Sequence, residues 1–383
     1  MFTKLTNKTN YTITVTAQNA IGTGPATTIT ATAGTATTTY IQPFGVGMPD
    51  PLNGSDPRGT FTGTVFAPPG SGVTGAGAVP NANWAWQSFS DLGVCLRYIG
   101  TGNAALSNIW VRGILLCDST VTLTLDHCVL DTRMARDATG AIFTTPHRGI
   151  GQGFSCLAGS NPRLPTIFAT DCSFYTSFDD VDKNGVFFST HLGGLTRCEL
   201  WGGSISPDLE SGCTVDSCWI HHPVQGGADC HLNFFFIRGS CAGATVKNSY
   251  LDQTDGHVYA PNSATTGITS CVFTQGSGNG NRLIGNFIKI GATPITLGSS
   301  GDGLVLGDVA VAAIYNQSDT GMILQNNVLS AYAGVTAAIY LQDHGAGSVD
   351  VANSFGNKHT DSSQVAVVVG STSTGPSPGA FLP

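Results

Sequence analysis

Eight short segments of this chain share one spacing: an apolar residue, two others, a small residue, one more, then a second apolar residue. Leu125–Cys128–Leu130, Ala169–Cys172–Phe174, Leu195–Cys198–Leu200, Val215–Cys218–Ile220, Val246–Ser249–Leu251, Ile268–Cys271–Phe273, Leu283–Asn286–Ile288 and Leu324–Asn327–Leu329 all fit it. Their central residues are 44, 26, 20, 31, 22, 15 and 41 positions apart. Most of these separations lie near one period of about 20–30 residues, and the two longest lie near two periods. A chain that repeats a small unit at such a period buries its apolar surface by stacking the units on one another.

Alternation at period two inside each unit, with Gly, Asn and Ser between units, makes the unit strands and turns. The expected fold is therefore all-β: a right-handed, single-stranded parallel β-helix. Composition agrees. Asp, Glu, Lys and Arg make up only 10% of the chain, and its two glutamates are Glu199 and Glu210. Fifty glycines accompany abundant Thr, Ser, Asn and Val, which suits short strands and tight turns better than exposed helices. A net charge of −8 offers no basic stripe, so nucleic acid is not an expected partner. No apolar run approaches the ~18 residues of a membrane span, and "MFTKLTNKTN" lacks the layout of a signal peptide.

The central position of the repeat holds Cys128, Cys172, Cys198, Cys218, Ser249, Cys271, Asn286 and Asn327. Stacked strands lie about 4.8 Å apart, so these side chains should form a ladder. Asn and Ser can hydrogen-bond along it, and Cys acts there as a small buried hydrophobe. Parallel Cβ vectors at that spacing are too far apart for disulfides, so the ladder thiols are expected to be free. Eleven cysteines leave at least one unpaired in any scheme, and bridges Cys213–Cys241 or Cys230–Cys241 stay open. No close CxxC or HxxxH pair suggests zinc.

Residues 1–35 break the repeat. In "LTNKTNYTITVTAQNAIGTGPA", Leu5 and Tyr11 are placed like a tyrosine corner, Tyr11, Ile13, Val15 and Ala17 alternate, and Asn19, Gly22, Gly24 and Pro25 suit a hairpin turn. The segment resembles the closing third of a fibronectin type III domain, with the upstream strands absent. Residues 36–83 are Gly/Pro-rich and read as linker and lead-in loops, 84–369 as the repetitive body, and 370–383 as a tail.

Chemistry-bearing residues gather in "IHHPVQGGADCHLNFFFIRGS", which holds His221, His222, Asp229, His231 and Arg238. Asp252, Asp255 and His257 follow one repeat later. Asp229, His231 and Asp252 are the catalytic candidates, since a glycosidase needs two carboxyl groups about 5–10 Å apart and adjacent units could supply them. His221, His222, Arg238, Asp255 and His257 are candidate glycan contacts. In "DDVDKNG", Asp180, Asp182 and Asn184 match the first half of a calcium loop, with His191 where the chelating Glu would stand. Calcium is the one cofactor with a candidate loop.

A fibronectin-like segment joined to a charge-poor, cysteine-laddered β-helix resembles bacteriophage minor tail proteins and tailspikes, whose solenoid is pectate-lyase-like. Members of that group often carry an HxDGxQ-type stretch, which is degenerate here at Asp229-Cys230-His231. The resemblance implies a homotrimer on the virion surface, assembled in the host cytoplasm. Its N-terminal segment would attach it to other phage structural proteins, and its solenoid would contact a host surface polysaccharide. Two alternatives stand beside this structural role: a polysaccharide lyase or glycoside hydrolase on the same scaffold, and a capsid-surface fibre or decoration protein.

Overall fold

The computed structural model describes residues 10–15, 18–19, 22–23, 27–32, 63–89, 93–117, 121–131, 166–175, 191–201, 208–221, 224–225, 234–239, 241–252, 257–258, 272–276, 279–290, 312–316, 321–331, 340–343, 350–359, 366–369 and 378–381. Two units emerge, Met1–Gln42 and Pro43–Pro383. The first contains an antiparallel pair, Asn10–Val15 with Thr27–Thr32, in which Tyr11 faces Ala31 and Ile13 faces Ile29. A two-residue pair, Gln18–Asn19 with Gly22–Thr23, lies between them in sequence. Leu5, Gly24 and Pro25 lie outside the described residues.

The second unit is all-β, with parallel strands stacked in two large sheets of 14 and 10 strands among the described residues. One passage of the chain through both sheets makes a rung. In a typical rung a strand of the 14-stranded sheet runs to a two-residue corner, and a strand of the ten-stranded sheet follows. Thus Thr122–Asp126 leads through His127 and Cys128 to Val129–Asp131, and the next rung repeats this with Thr166–Thr170, Asp171, Cys172 and Ser173–Tyr175. The stacking is in register: Leu123 lies beside Ile167 and Leu125 beside Ala169. Alternate residues Leu123, Leu125, Ile167, Leu195, Val215 and Val246 point inward from one sheet. Leu130, Phe174, Leu200, Ile220, Leu251, Ile288 and Leu329 point inward from the other, so the core lies between the two. Burial of this column, renewed at every rung, is the main source of stability.

The body begins earlier than the Gly/Pro content of 36–83 implies. Thr64–Phe66 pairs with Ile109–Val111 at the edge of the ten-stranded sheet, because its own alternation places Phe66 in the core. The long separations also differ from the two-period expectation. Cys128 and Cys172, 44 residues apart, sit on neighbouring rungs, as do Asn286 and Asn327. Rung length varies because chain leaves the stack between strands, while strand spacing holds constant.

The corner is built from two adjacent columns. Asn108, His127, Asp171, Arg197, Ser217, Asn248 and Asn326 all have φ between 51° and 57°, and Gly285 and Gly356 occupy the same place. A left-handed residue turns the strand sharply, and Asn, Asp and Gly tolerate it best. Along the column the N–H is passed to the next rung: Asn108 to Asp126 O, His127 to Thr170 O, Asp171 to Thr196 O and Arg197 to Asp216 O, at 2.9–3.0 Å.

The following column is the ladder. Cys128 N donates to Cys172 Sγ at 3.3 Å, Cys198 N to Cys218 Sγ at 3.4 Å and Cys218 N to Ser249 Oγ at 3.1 Å. Ser249 N donates to Asn286 Oδ1, Asn286 N to Asn327 Oδ1 and Asn327 N to Asn357 Oδ1, at 3.0–3.1 Å. The ladder thus runs from Ser249 straight to Asn286. Cys271 itself lies outside the described residues, and the strand after it, Val272–Gly276, pairs with Phe235–Gly239 and Ala312–Asn316 in a different column. Cys128, Cys172, Cys198 and Cys218 are free, buried thiols.

One long strand, Asp208–Asp216, changes the cross-section. Its first two residues pair with His191–Leu192 and its last three with Gly194–Thr196, leaving four residues between. Beyond it the two halves continue separately, as Phe235–Gly239 and as Thr245–Lys247. The bend falls at Gly212, whose φ of 75° a side chain would resist. At the far end Pro378–Phe381 pairs antiparallel with Ala366–Val369, which itself stacks in parallel on Tyr340–Asp343.

Candidate functional site

On a sheet with one face to the core, the other face normally meets water. The ten-stranded sheet departs from this over its early rungs. Its outward column Trp110, Val129, Ser173, Glu199, Trp219 is buried, as are Arg112, Asp131, Tyr175 and His221 two residues further along. Four groups able to carry charge (Arg112, Asp131, Glu199 and His221) are therefore out of water on one side of one sheet. Burial of such groups is costly unless each is paired, and at Glu199 and His221 the pairing is visible. Tyr175 Oη donates to Glu199 Oε2 at 2.7 Å, and His221 Nε2 lies 2.9 Å from Glu199 Oε1. The His221 ring stacks on Trp219, with centroids 3.4 Å apart and planes 3° from parallel. Arg112 lies over the Trp110 ring at 4.4 Å.

Glu199 is thus the hub of three successive rungs. Its position follows from the corner: it is the first residue after the ladder cysteine Cys198, where the side chain points outward between Ser173 and Trp219. A carboxylate, an imidazole and a phenol in contact form a chain along which a proton can pass, the equipment of acid–base chemistry. Sequence reading overlooked Glu199, although one of only two glutamates in the chain, two residues before Trp201, was the available signal.

Of the sequence candidates, His221 belongs to this cluster. Asp252 occupies the next register position beyond it, in strand Tyr250–Asp252. Arg238 lies in strand Phe235–Gly239 of the other sheet, beside Gln275, and His257 pairs beside Val224 in a short separate two-stranded sheet. His222, Asp229, His231 and Asp255 lie outside the described residues, as do the calcium-loop positions Asp180, Asp182 and Asn184.

The exposed corner carries a second set of charges. His127 Nδ1 lies 2.9 Å from Asp126 Oδ1, and its Nε2 lies 3.8 Å from Asp171 Oδ2. Arg197 donates to both oxygens of Asp171 at 2.7 Å, and Asp171 raises the Arg197 pKa above its ordinary value. Lys247 Nζ lies 3.1 Å from Asp216 Oδ2 one rung further. Asp126, His127 and Asp171 bring ligand atoms within 4.8 Å of one another, the donor set of a divalent cation site. The bidentate Arg197 already occupies Asp171, so a cation there would have to displace it.

Burial and neighbouring thiols push Cys128, Cys172 and Cys198 the other way from reactivity. Cys172 and Cys198 are raised above the usual thiol range chiefly by burial, and Cys128 chiefly by its contact with Cys172. Thiols held protonated are poor nucleophiles and poor metal ligands, so the ladder is structural. No family model, curated protein or solved structure matches this chain.

Proposed function

We propose that the stacked sheets are a right-handed parallel β-helix of the tailspike or minor-tail kind, displayed on a phage particle to contact a host cell-envelope glycan. In this reading three chains associate side by side, assembly takes place in the host cytoplasm, and the fibronectin III-like segment docks on other virion proteins. The observation that carries a binding rather than a cleaving role is the state of the carboxylates. Glu199 is buried and held by Tyr175 and His221, Asp171 by Arg197, and Asp216 by Lys247, Asn248 and Ser217. A glycosidase needs two carboxyl groups facing a scissile bond about 5–10 Å apart. These three are committed to neighbours instead. The test pairs light scattering with binding to envelope polysaccharide. A mass three times the 39.5 kDa of the chain together with saturable glycan binding is expected. A monomer that binds no glycan refutes the proposal.

A second reading, a depolymerase on the same scaffold, is favoured by the Tyr175–Glu199–His221 chain with Asp252 next in register. It predicts release of reducing ends from envelope polysaccharide and loss of that release in Glu199→Gln. A capsid-surface location would leave the same solenoid chemistry but place the particle contact elsewhere, which immunogold labelling of virions distinguishes.

A further inference from the structure

The outward face of the 14-stranded sheet differs from that of its neighbour. Between the inward Leu123, Leu125, Ile167, Ala169, Leu192, Leu195 and Val215, it presents Thr124, Thr166, Thr170, Thr196 and Thr214 on successive rungs. One aromatic ring lies among these hydroxyls. Phe168 is 44% exposed, the one exposed large apolar side chain described on these rungs.

Its seat is specific. Pairing between Thr166–Thr170 and His191–Thr196 slips by one residue at Ile167/Phe168, so Phe168 lies beside Gly194 and Gly193 is the extra residue of a bulge. A methyl group on Gly193 would sit 2.5 Å from Phe168 Cζ and 2.8 Å from each Cε. Such near-equal distances place that point over the face of the ring near its tip. A point in the ring plane would be distinctly farther from both Cε atoms. At Gly194 a methyl group would lie 3.4 Å from Cδ1. The ring therefore rests face-down on a glycine pair, and its exposed area is the opposite face. Glycine inside a strand marks such a close approach.

We propose that Phe168, seated on Gly193, is a stacking platform for one pyranose unit of an uncharged glycan; this rests on the glycan-contact reading above. The chemistry selects the occupant. An aromatic face is electron-rich and takes the C–H face of a sugar, while the sugar's rim of hydroxyls meets threonine hydroxyls able both to donate and to accept. A second protein would need a larger continuous apolar patch than one ring among threonines. Charges near the ring, at Asp126, His127, Asp171 and Arg197, are paired with one another at the corner, and the net charge of −8 repels a polyanion. A neutral saccharide fits both conditions.

The experiment uses the full chain against a panel of neutral and uronate-containing oligosaccharides, by calorimetry, with thermal unfolding and light scattering on every variant. A neutral saccharide is expected to bind the wild type, and Phe168→Ala should weaken it about tenfold, the scale of one lost stacking contact. Gly193→Ala, which keeps the ring but lifts it from its seat, should weaken binding similarly, and Phe168→Trp should retain it. Equal affinity in wild type, Phe168→Ala and Gly193→Ala overturns the platform and leaves glycan contact standing. Binding to uronate-containing members alone overturns it as well, as does a fall in solution mass in Phe168→Ala, which would assign the ring to a subunit contact. Failure to bind any member overturns both this proposal and the reading beneath it.

Discussion

Replacing Asn327 by alanine tests the ladder where it is most fully bonded. Asn327 is 2% exposed. Its Oδ1 accepts from Asn286 N and Asn286 Nδ2, both at 3.0 Å, and its Nδ2 donates to Leu283 O and Asn357 Oδ1, both at 2.8 Å. Alanine removes the partner of one buried main-chain donor, Asn286 N–H, and of one main-chain acceptor, Leu283 C=O. Each buried group left unsatisfied costs about 1–3 kcal/mol, so Asn327→Ala should lose about 2–6 kcal/mol. That is a large part of a typical folding free energy of about 5–15 kcal/mol. Asn327→Cys should lose less, because a sulfur still accepts from the neighbouring N–H, as Cys172 and Cys218 do. Rungs contact chiefly their neighbours, so one global transition is not assured. Urea unfolding should therefore be paired with hydrogen exchange on peptides spanning 283–290 and 323–330, where protection should fall first. A loss under about 0.5 kcal/mol, the scatter of ordinary surface substitutions, with unchanged exchange in those peptides, would refute the reasoning.

Three further outcomes are expected. Glu199→Ala should destabilise the chain by about 3–5 kcal/mol, because it removes a buried partner shared by His221 and Tyr175, and Glu199→Gln should cost clearly less; equal melting of both variants and wild type would contradict the network. The ladder thiols Cys128, Cys172 and Cys198, held protonated by burial and by neighbouring thiols, should resist iodoacetamide in mildly alkaline buffer and react once urea unfolds the chain; mass spectrometry showing native labelling of Cys172 or Cys198 would contradict this. Burial alone would raise the Asp216 pKa, but hydrogen bonds from Asn248, Lys247 and Ser217 bring it below the ordinary value. Stability from that lowered pKa is present above about pH 3.9 and is lost as pH falls through the folded value. Asp216→Asn should accordingly lower the melting temperature at neutral pH, with the difference shrinking as pH falls below about 3.9; a difference independent of pH would refute the link.

The ladder was legible where its residue is small or polar and both flanking positions are apolar. It was invisible at its two ends for opposite reasons. Ile109 holds the position with an apolar side chain, so nothing marks it as central. Asn357 lies between Ser354 and His359, so the apolar flanks are missing. Counting residues misled at Cys271, because a 15-residue step is shorter than any rung the structure describes between ladder positions. A period is set by stacking in space, and chain that leaves the stack does not register in that spacing. The left-handed column carries its own signal in Asn108, Asp171, Asn248, Gly285, Asn326 and Gly356, but it emerges only after the rungs are aligned. The candidate site was half legible. Histidine density drew attention to His221, whereas Glu199 and Tyr175 come from earlier rungs and meet it only through register. Phe168 was hidden for the same reason, since its meaning depends on Gly193 one rung away.

The antiparallel strand Pro378–Phe381 bears on how such a stack can end. A pile of parallel strands has direction, and its last member offers the next chain the same template that every earlier strand offered its successor. Ala366–Val369, four small or β-branched residues, is a strong template of this kind. Pro378–Phe381, laid along it in the opposite sense, breaks the sequence of identical steps, and its proline presents no N–H. The reversal of polarity covers the edge that Ala366–Val369 would otherwise offer to a further parallel strand.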